Sequence, residues 1–374
     1  MPTRVSSATL ALSRNLPGPG IGRGISSPSN SVRRDKSPIW PATRQRMPAQ
    51  APYAAAKLGP RAPVSEPTLV LNNLTARSRI GARGAEWMTM ETSAAADLRL
   101  RDMTPADLVA AHALSTEAQW PHRLEDWDLM LSVGFGVVAD LNGQIVGTTM
   151  GWPYGADAAT LGMVIVSQAS RGGGVGRKLM DAVLARLSGR TVLLNSTEAG
   201  APLYRKLGFV PVGTIHQHQG AAFSVPVARL RKGERVRPIG ASDGAAIIEL
   251  DRRATGLKRE ALVSTLLESG QGVILDRGGQ AAGFALFRRF GRGYAVGPVV
   301  SPDRDGARAL ISHWLGSNAG MFIRVDTPGD SGLSAWLDEM GLKEVDRVTT
   351  MVLGPAPARG DGVAPYAIVS QAFS

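Results

Sequence analysis

The stretch Val164-Ile165-Val166-Ser167-Gln168-Ala169-Ser170-Arg171-Gly172-Gly173-Gly174-Val175-Gly176-Arg177 constrains this chain more than any other. A β-branched apolar run leads into four closely spaced glycines, and Leu179, Val183, Leu184 and Leu187 follow at helical spacing. A strand, a glycine-rich turn and a helix in succession aim several backbone N–H groups into one concavity beside a positive helix end, which suits a phosphate or pyrophosphate. Glycine matters there because a side chain would block close approach to the backbone. Two common phosphate loops do not fit. Lys178 lacks the preceding Gly and following Ser/Thr of a P-loop, and Arg177 stands where a dinucleotide fingerprint starting at Gly172 needs its third glycine. Taken alone, the cluster is equally compatible with a turn that holds nothing.

Around it the chain alternates strands and helices. Leu98 and Leu100 suggest a short strand, Thr104-Pro105-Ala106-Asp107 a helix start, and Leu124 to Leu131 a second helix. Phe135–Ala139 and Gln144–Met150 flank Asn142-Gly143, a hairpin signal. Then come Ala159–Val166, the glycine cluster and its helix, a strand at Thr191–Leu194, a short helix to Leu207 and strands beyond Phe209. After a charged connector the order restarts at Val236, with helices at Ala245–Arg253 and Glu260–Leu267, a hairpin around Arg277-Gly278-Gly279-Gln280, and further elements to Leu353. The expected fold class is α/β with a mixed α+β sheet, built from a tandem duplication.

The spacing Arg171-x-x-Gly174-x-Gly176, together with Leu203-Tyr204-Arg205-Lys206-Leu207-Gly208-Phe209 one helix and one strand later, resembles the GCN5-related N-acetyltransferases (GNAT). The resemblance covers roughly Leu98–Val227, with a weaker echo to Leu353. It divides the chain into a disordered segment at 1–92, a catalytic domain at 93–228, a linker at 229–235, a degenerate GNAT-like domain at 236–354 and a tail at 355–374. It also implies acetyl-CoA as co-substrate and direct transfer of the acetyl group to an amine of a small-molecule or amino-acid-like acceptor, with no acyl-enzyme. The alternative is a non-catalytic CoA-binding sensor.

By that resemblance Val164 and Val166 offer main-chain groups to the pantetheine arm, and Arg171, Gly172, Gly173, Gly174, Val175, Gly176 and Arg177 wrap the pyrophosphate. Asn195 is a further cofactor contact, although its spacing to Tyr204 is longer than usual for the family. Tyr204 is the catalytic residue, donating a proton to the departing thiolate. No ionisable group lies in Thr160–Val166, so Glu117 and His122 stand as candidates for the general base, with water as a substitute. No metal is expected: His216 and His218 alternate along a strand and read as exposed residues. In the second copy, matching Val300-Ser301 to Val166-Ser167 puts Asp305 opposite Arg171, and matching Met340-Gly341-Leu342 to Leu207-Gly208-Phe209 puts Leu337 opposite Tyr204. That copy is therefore expected to be silent, with Asp251, Arg259 and Asp326 serving structure.

Charge sharpens the picture. The net +11 is almost wholly in residues 1–87, which carry 13 Lys and Arg against 3 Asp and Glu, leaving 29 against 28 for the remainder. The first segment also holds 11 of the 24 prolines and no apolar periodicity, so disorder is expected. It reads as a transit peptide, a basic arm, or residues upstream of a start at Met88 or Met90. Only Trp40, Tyr53 and Trp87 interleave its basic residues, so nucleic acid is not the expected partner. The absence of cysteine excludes disulfides, thiolate metal sites and a thiol nucleophile. With no membrane-length apolar run, a cytoplasmic protein is expected, for which a homodimer is compatible with the sequence.

Overall fold

The computed structural model describes residues 97–373 apart from 224 and 227. The expectations for 1–92, including a start at Met88 or Met90, lie outside the described residues.

The first copy runs β1 (Leu98–Asp102), α1 (Leu108–Glu117), α2 (Leu124–Ser132), β2 (Phe135–Leu141), β3 (Gln144–Tyr154), β4 (Ala158–Val166), α3 (Val175–Arg186), β5 (Thr191–Ser196), α4 (Ala201–Lys206) and β6 (Val210–Ala221). The second repeats every element in order: β7 (Glu234–Pro238), α5 (Gly244–Thr255), α6 (Glu260–Ser269), β8 (Gln271–Arg277), β9 (Gln280–Phe290), β10 (Gly293–Ser301), α7 (Arg304–Ser317), β11 (Phe322–Pro328), α8 (Ser334–Glu339) and β12 (Lys343–Leu353). The Asn142-Gly143 turn has φ of 52° and 86°, and Gly278-Gly279 has 60° and 87°, the doubly left-handed backbone that matches a hairpin's twist. The expected linker is shorter than read, since β7 begins at Glu234.

The strands form one sheet in the order β1-β2-β3-β4-β5-β12-β6-β11-β10-β9-β8-β7. The copies have exchanged their last strands. β12 pairs antiparallel with β5 of the first copy, Thr349 opposite Ser196, while β6 pairs with β11 of the second, Ile323 opposite Gly220. One core between the halves gathers α1, α2, α5 and α6 around Trp127, Trp152, Met163, Ile247, Phe284 and Phe373. On the opposite face α3 buries Leu179, Met180 and Val183 against Val137, Ala159 and Leu161. Each such fully buried side chain contributes about 1.5–3 kcal/mol.

The segment 355–374 is not a surface tail. Ala364–Ala367 form β13 on β10, and Ile368, Val369, Ala372 and Phe373 are buried. Its apolar run is short and follows a Pro- and Gly-rich stretch, so it reads as loop until the sheet supplies a partner for it.

Candidate functional site

The site begins where two parallel strands part. β4 and β5 pair only from Ala158–Thr160 to Thr191–Leu193, although β4 continues to Val166 and β5 to Ser196. Met163 has φ of 53°, and the β3–β4 register shifts across this stretch, a bulge that bends β4 away from β5. The β5-facing edge of β4, which includes Val164 and Val166, is thus left without a strand partner beyond Thr160. The result is a wedge walled by backbone.

The glycine loop closes the end of the wedge. Gly172 and Gly174 have φ of 83° and 76°, and a Cβ at either would meet nothing within 4 Å, so the loop faces open space. Gly174 is the N-cap of α3, and among the described residues no side chain caps that helix. Val175 is buried and anchors the helix start. A Cβ on Gly176 would stand 3.6 Å from both Leu203 and Val166, so the end of β4, the start of α3 and α4 meet here. An open cradle of this kind fits a pyrophosphate. The two arginines behave differently: Arg171 Nε donates to the Val166 carbonyl at 3.2 Å, whereas Arg177 is laid along its own helix against Asp181 at 2.8 Å.

Tyr204 lies on α4, buried, its ring edge-on to Phe209 and so close to Gly200 that a Cβ there would be 2.8 Å away. Burial pushes its hydroxyl up to about 12, so it stays protonated at neutral pH. The structure shows no hydrogen bond to that hydroxyl among the described residues. Asn195 borders the cavity on the inner face of the wedge, with Nδ2 donating to the Gln371 carbonyl at 3.0 Å and Oδ1 accepting from Thr350 at 2.8 Å. Its side chain ties β5 to β12 and to the C-terminal segment.

On the inner face of the wedge lies a cavity of about 180 Å³ walled by Gly162 and Met163 at the bulge, by Trp120, Pro121 and His122, and by Phe290, Arg324 and Asp346 of the second copy. Gln371 and Ala372 complete it. Sequence reasoning missed these second-copy and C-terminal residues, because no local pattern announces a wall contributed from far along the chain. His122 belongs to the cavity; burial, then Arg324, pushes it down to about 4, so it is neutral at pH 7, and its buried Nδ1 has no partner. Glu117 lies elsewhere: its Oε1 accepts from the Gln168 N–H at 2.7 Å and steadies the chain leaving β4.

The second copy has the same wedge between β10 and β11, which pair only at Tyr294–Ile323 and Ala295–Arg324. Here β13 fills it, pairing with Val299–Ser301, while the Ile368 N–H donates to the Asp326 carbonyl. The start of α7 is capped by Asp303, which accepts from the Gly306 N–H at 2.8 Å. Leu337, opposite Tyr204, is fully buried. Asp251 and Arg259 form a buried pair at 2.7 Å, and Asp326 pairs with Arg324 at 2.7 Å. The expectation for His216 and His218 needs correcting: His218 is fully buried and His216 half-buried, because β6 lies in the middle of the sheet.

Comparison with known proteins agrees with this geometry. Residues 133–211 match a sequence model described as an acetyltransferase (GNAT) domain, and residues 247–363 match a second with the same description. The uncharacterized N-acetyltransferase YitH of Bacillus subtilis is 25% identical over 267 residues, 70% of this chain and 93% of its own. The holothin acyltransferase of a Pseudoalteromonas species is 26% identical over 208 residues, 54% of this chain and 69% of its own. A solved protein of Pyrococcus horikoshii superposes with a TM-score of 0.63 at 19% identity, covering 74% of this chain and 96% of its own. A tandem GNAT protein from the clavulanic acid biosynthesis pathway superposes with a TM-score of 0.51 at 16% identity, covering 70% of this chain and all of its own. No helix among the described residues is long and apolar enough to cross a membrane.

Proposed function

The chain belongs to the GNAT acetyltransferases in their tandem form, and from that premise we propose that its first copy moves an acetyl group from acetyl-CoA to the amine of a small molecule. The observation that carries the reading is the asymmetry of the two wedges: among the described residues no strand enters the first and no side chain caps its helix, with Tyr204 beside it, whereas β13 fills the second and Asp303 caps its helix. The unpaired edge of β4 at Val164 and Val166 suits an amide-bearing arm, and the loop from Arg171 to Gly176 suits its pyrophosphate. The amine nitrogen forms a bond to the thioester carbonyl carbon, the carbon–sulfur bond breaks, Tyr204 gives its proton to the sulfur, and the attacking nitrogen loses a proton to water. A backbone N–H near the Met163 bulge offers a donor to the developing oxyanion. His122, uncharged at neutral pH, accepts a hydrogen bond from the incoming amine rather than acting as a strong base.

The test is thiol release from acetyl-CoA over a panel of small amines. Tyr204→Phe is expected to lower kcat by about a hundredfold, with acetyl-CoA affinity unchanged. An equal kcat would end the acid role, and acetyl-CoA binding with no accepted amine would favour a CoA sensor.

A further inference from the structure

A second cluster lies across the sheet from the cavity. His216 and His218 are two residues apart on β6 and so share one face, opposite to Gln217, which borders the cavity. Directly across from His218, on β12, stands Glu344. Its Oε2 is 3.1 Å from His216 Nδ1 and 4.0 Å from His218 Nε2, and the donor atoms of the three residues all lie within 4.8 Å of one another. The other carboxylate oxygen is held by Arg347 at 2.8 Å, which fixes the orientation of the group.

The histidine tautomer points to a ligand. His218 Nδ1 is 3.0 Å from the Leu342 carbonyl, which can only accept, and 3.6 Å from Asp338 Oδ1, so Nδ1 carries a hydrogen and in the neutral imidazole the lone pair is on Nε2. That Nε2 is buried and has no hydrogen-bond partner. An imidazole whose far nitrogen donates to a backbone carbonyl is set up as a metal ligand, and an unmet buried acceptor is otherwise costly. Ser334 Oγ, 3.3 Å from His216 Nδ1, borders the same space.

We propose that His216, His218 and Glu344 bind one divalent transition-metal ion of the zinc class. Two imidazoles and one carboxylate form a nitrogen-rich donor set that suits zinc and disfavours magnesium or calcium, with the fourth position left to water. In a tetrahedral zinc site the ligand atoms stand about 3.3–3.5 Å apart, so the 3.1 Å pair has to open slightly, the 4.0 Å gap has to close, and the two imidazoles already stand within 4.8 Å of each other. The ion joins β6 of the first copy to β12 of the second at the exchanged strands and lies on the face away from the cavity. Its role is to clasp the two halves together, and the acetyl transfer does not pass through it.

The experiment uses tag-free full-length protein stripped by chelator and titrated with zinc ion against a chromogenic competitor. One equivalent should bind, the thermal midpoint should rise, and cobalt(II) should give the visible absorption of a four-coordinate site while magnesium gives no shift. His216→Gln and Glu344→Gln, both at positions not fully buried, should each weaken zinc binding more than tenfold. Absence of bound zinc at micromolar free ion, or binding unchanged in both variants, overturns the site.

Discussion

Two helices at equivalent places in the repeat, α3 and α7, begin in different ways. Each follows the parting strand of a wedge, and each must do something with its first N–H groups. In α7 the chain answers with its own carboxylate, Asp303, and lays β13 along the strand edge. In α3 a left-handed glycine leaves those groups to be met from outside. The lesson is that one helix start can be met by the chain's own cap and strand in one copy and, among the described residues, left open in the other.

That comparison can be broken most sharply by carrying the second copy's cap into the first. Asp tolerates the left-handed backbone at position 174, so Gly174→Asp should leave the fold intact while placing a negative charge where the pyrophosphate would lie. The apparent affinity for acetyl-CoA, read by calorimetry, should fall by about a hundredfold, about 2.7 kcal/mol at 1.36 kcal/mol per tenfold. An unchanged affinity would remove the loop from the site. In the reverse direction, Asp303→Ala should cost about 1 kcal/mol of stability by denaturant unfolding and create no CoA binding, since β13 still fills the wedge.

The smallest effect tests where the copies agree. Arg101 holds Asp107 down at about 2 from 3.8, and Arg237 does the same to Asp243. A carboxyl with a depressed folded pKa stabilises the fold above its unfolded value and loses that contribution as pH falls through the folded one. Stability should therefore decline between pH 4 and about 2 through both copies, modestly because the pairs are partly exposed. Asp107→Asn and Asp243→Asn should each flatten that slope in urea titrations, and a slope carried by one copy alone would contradict the equivalence.

Much of this was legible in the chain because the signals were local. Asn142-Gly143 fixed one hairpin, the glycine cluster fixed a strand-to-helix turn, and Leu203 to Phe209 fixed a short helix beside it. What stayed hidden depends on partners far along the sequence. Alternation shows that a segment is a strand but not which strand it joins, so the exchange of β6 and β12 left no trace. For the same reason His216-Gln217-His218 reads as a polar edge, and residues 355–374 read as a tail. Even the cavity draws Phe290, Arg324 and Asp346 from the second half.

The exchanged strands bear on how the two halves depend on each other. Cut at the connector, the first copy would lose β12 and leave β5 and β6 with bare edges, ready to pair with any neighbouring chain. Each half thus serves as the other's edge cover, so a change that frees either exchanged strand exposes both halves at once to pairing with a neighbouring chain.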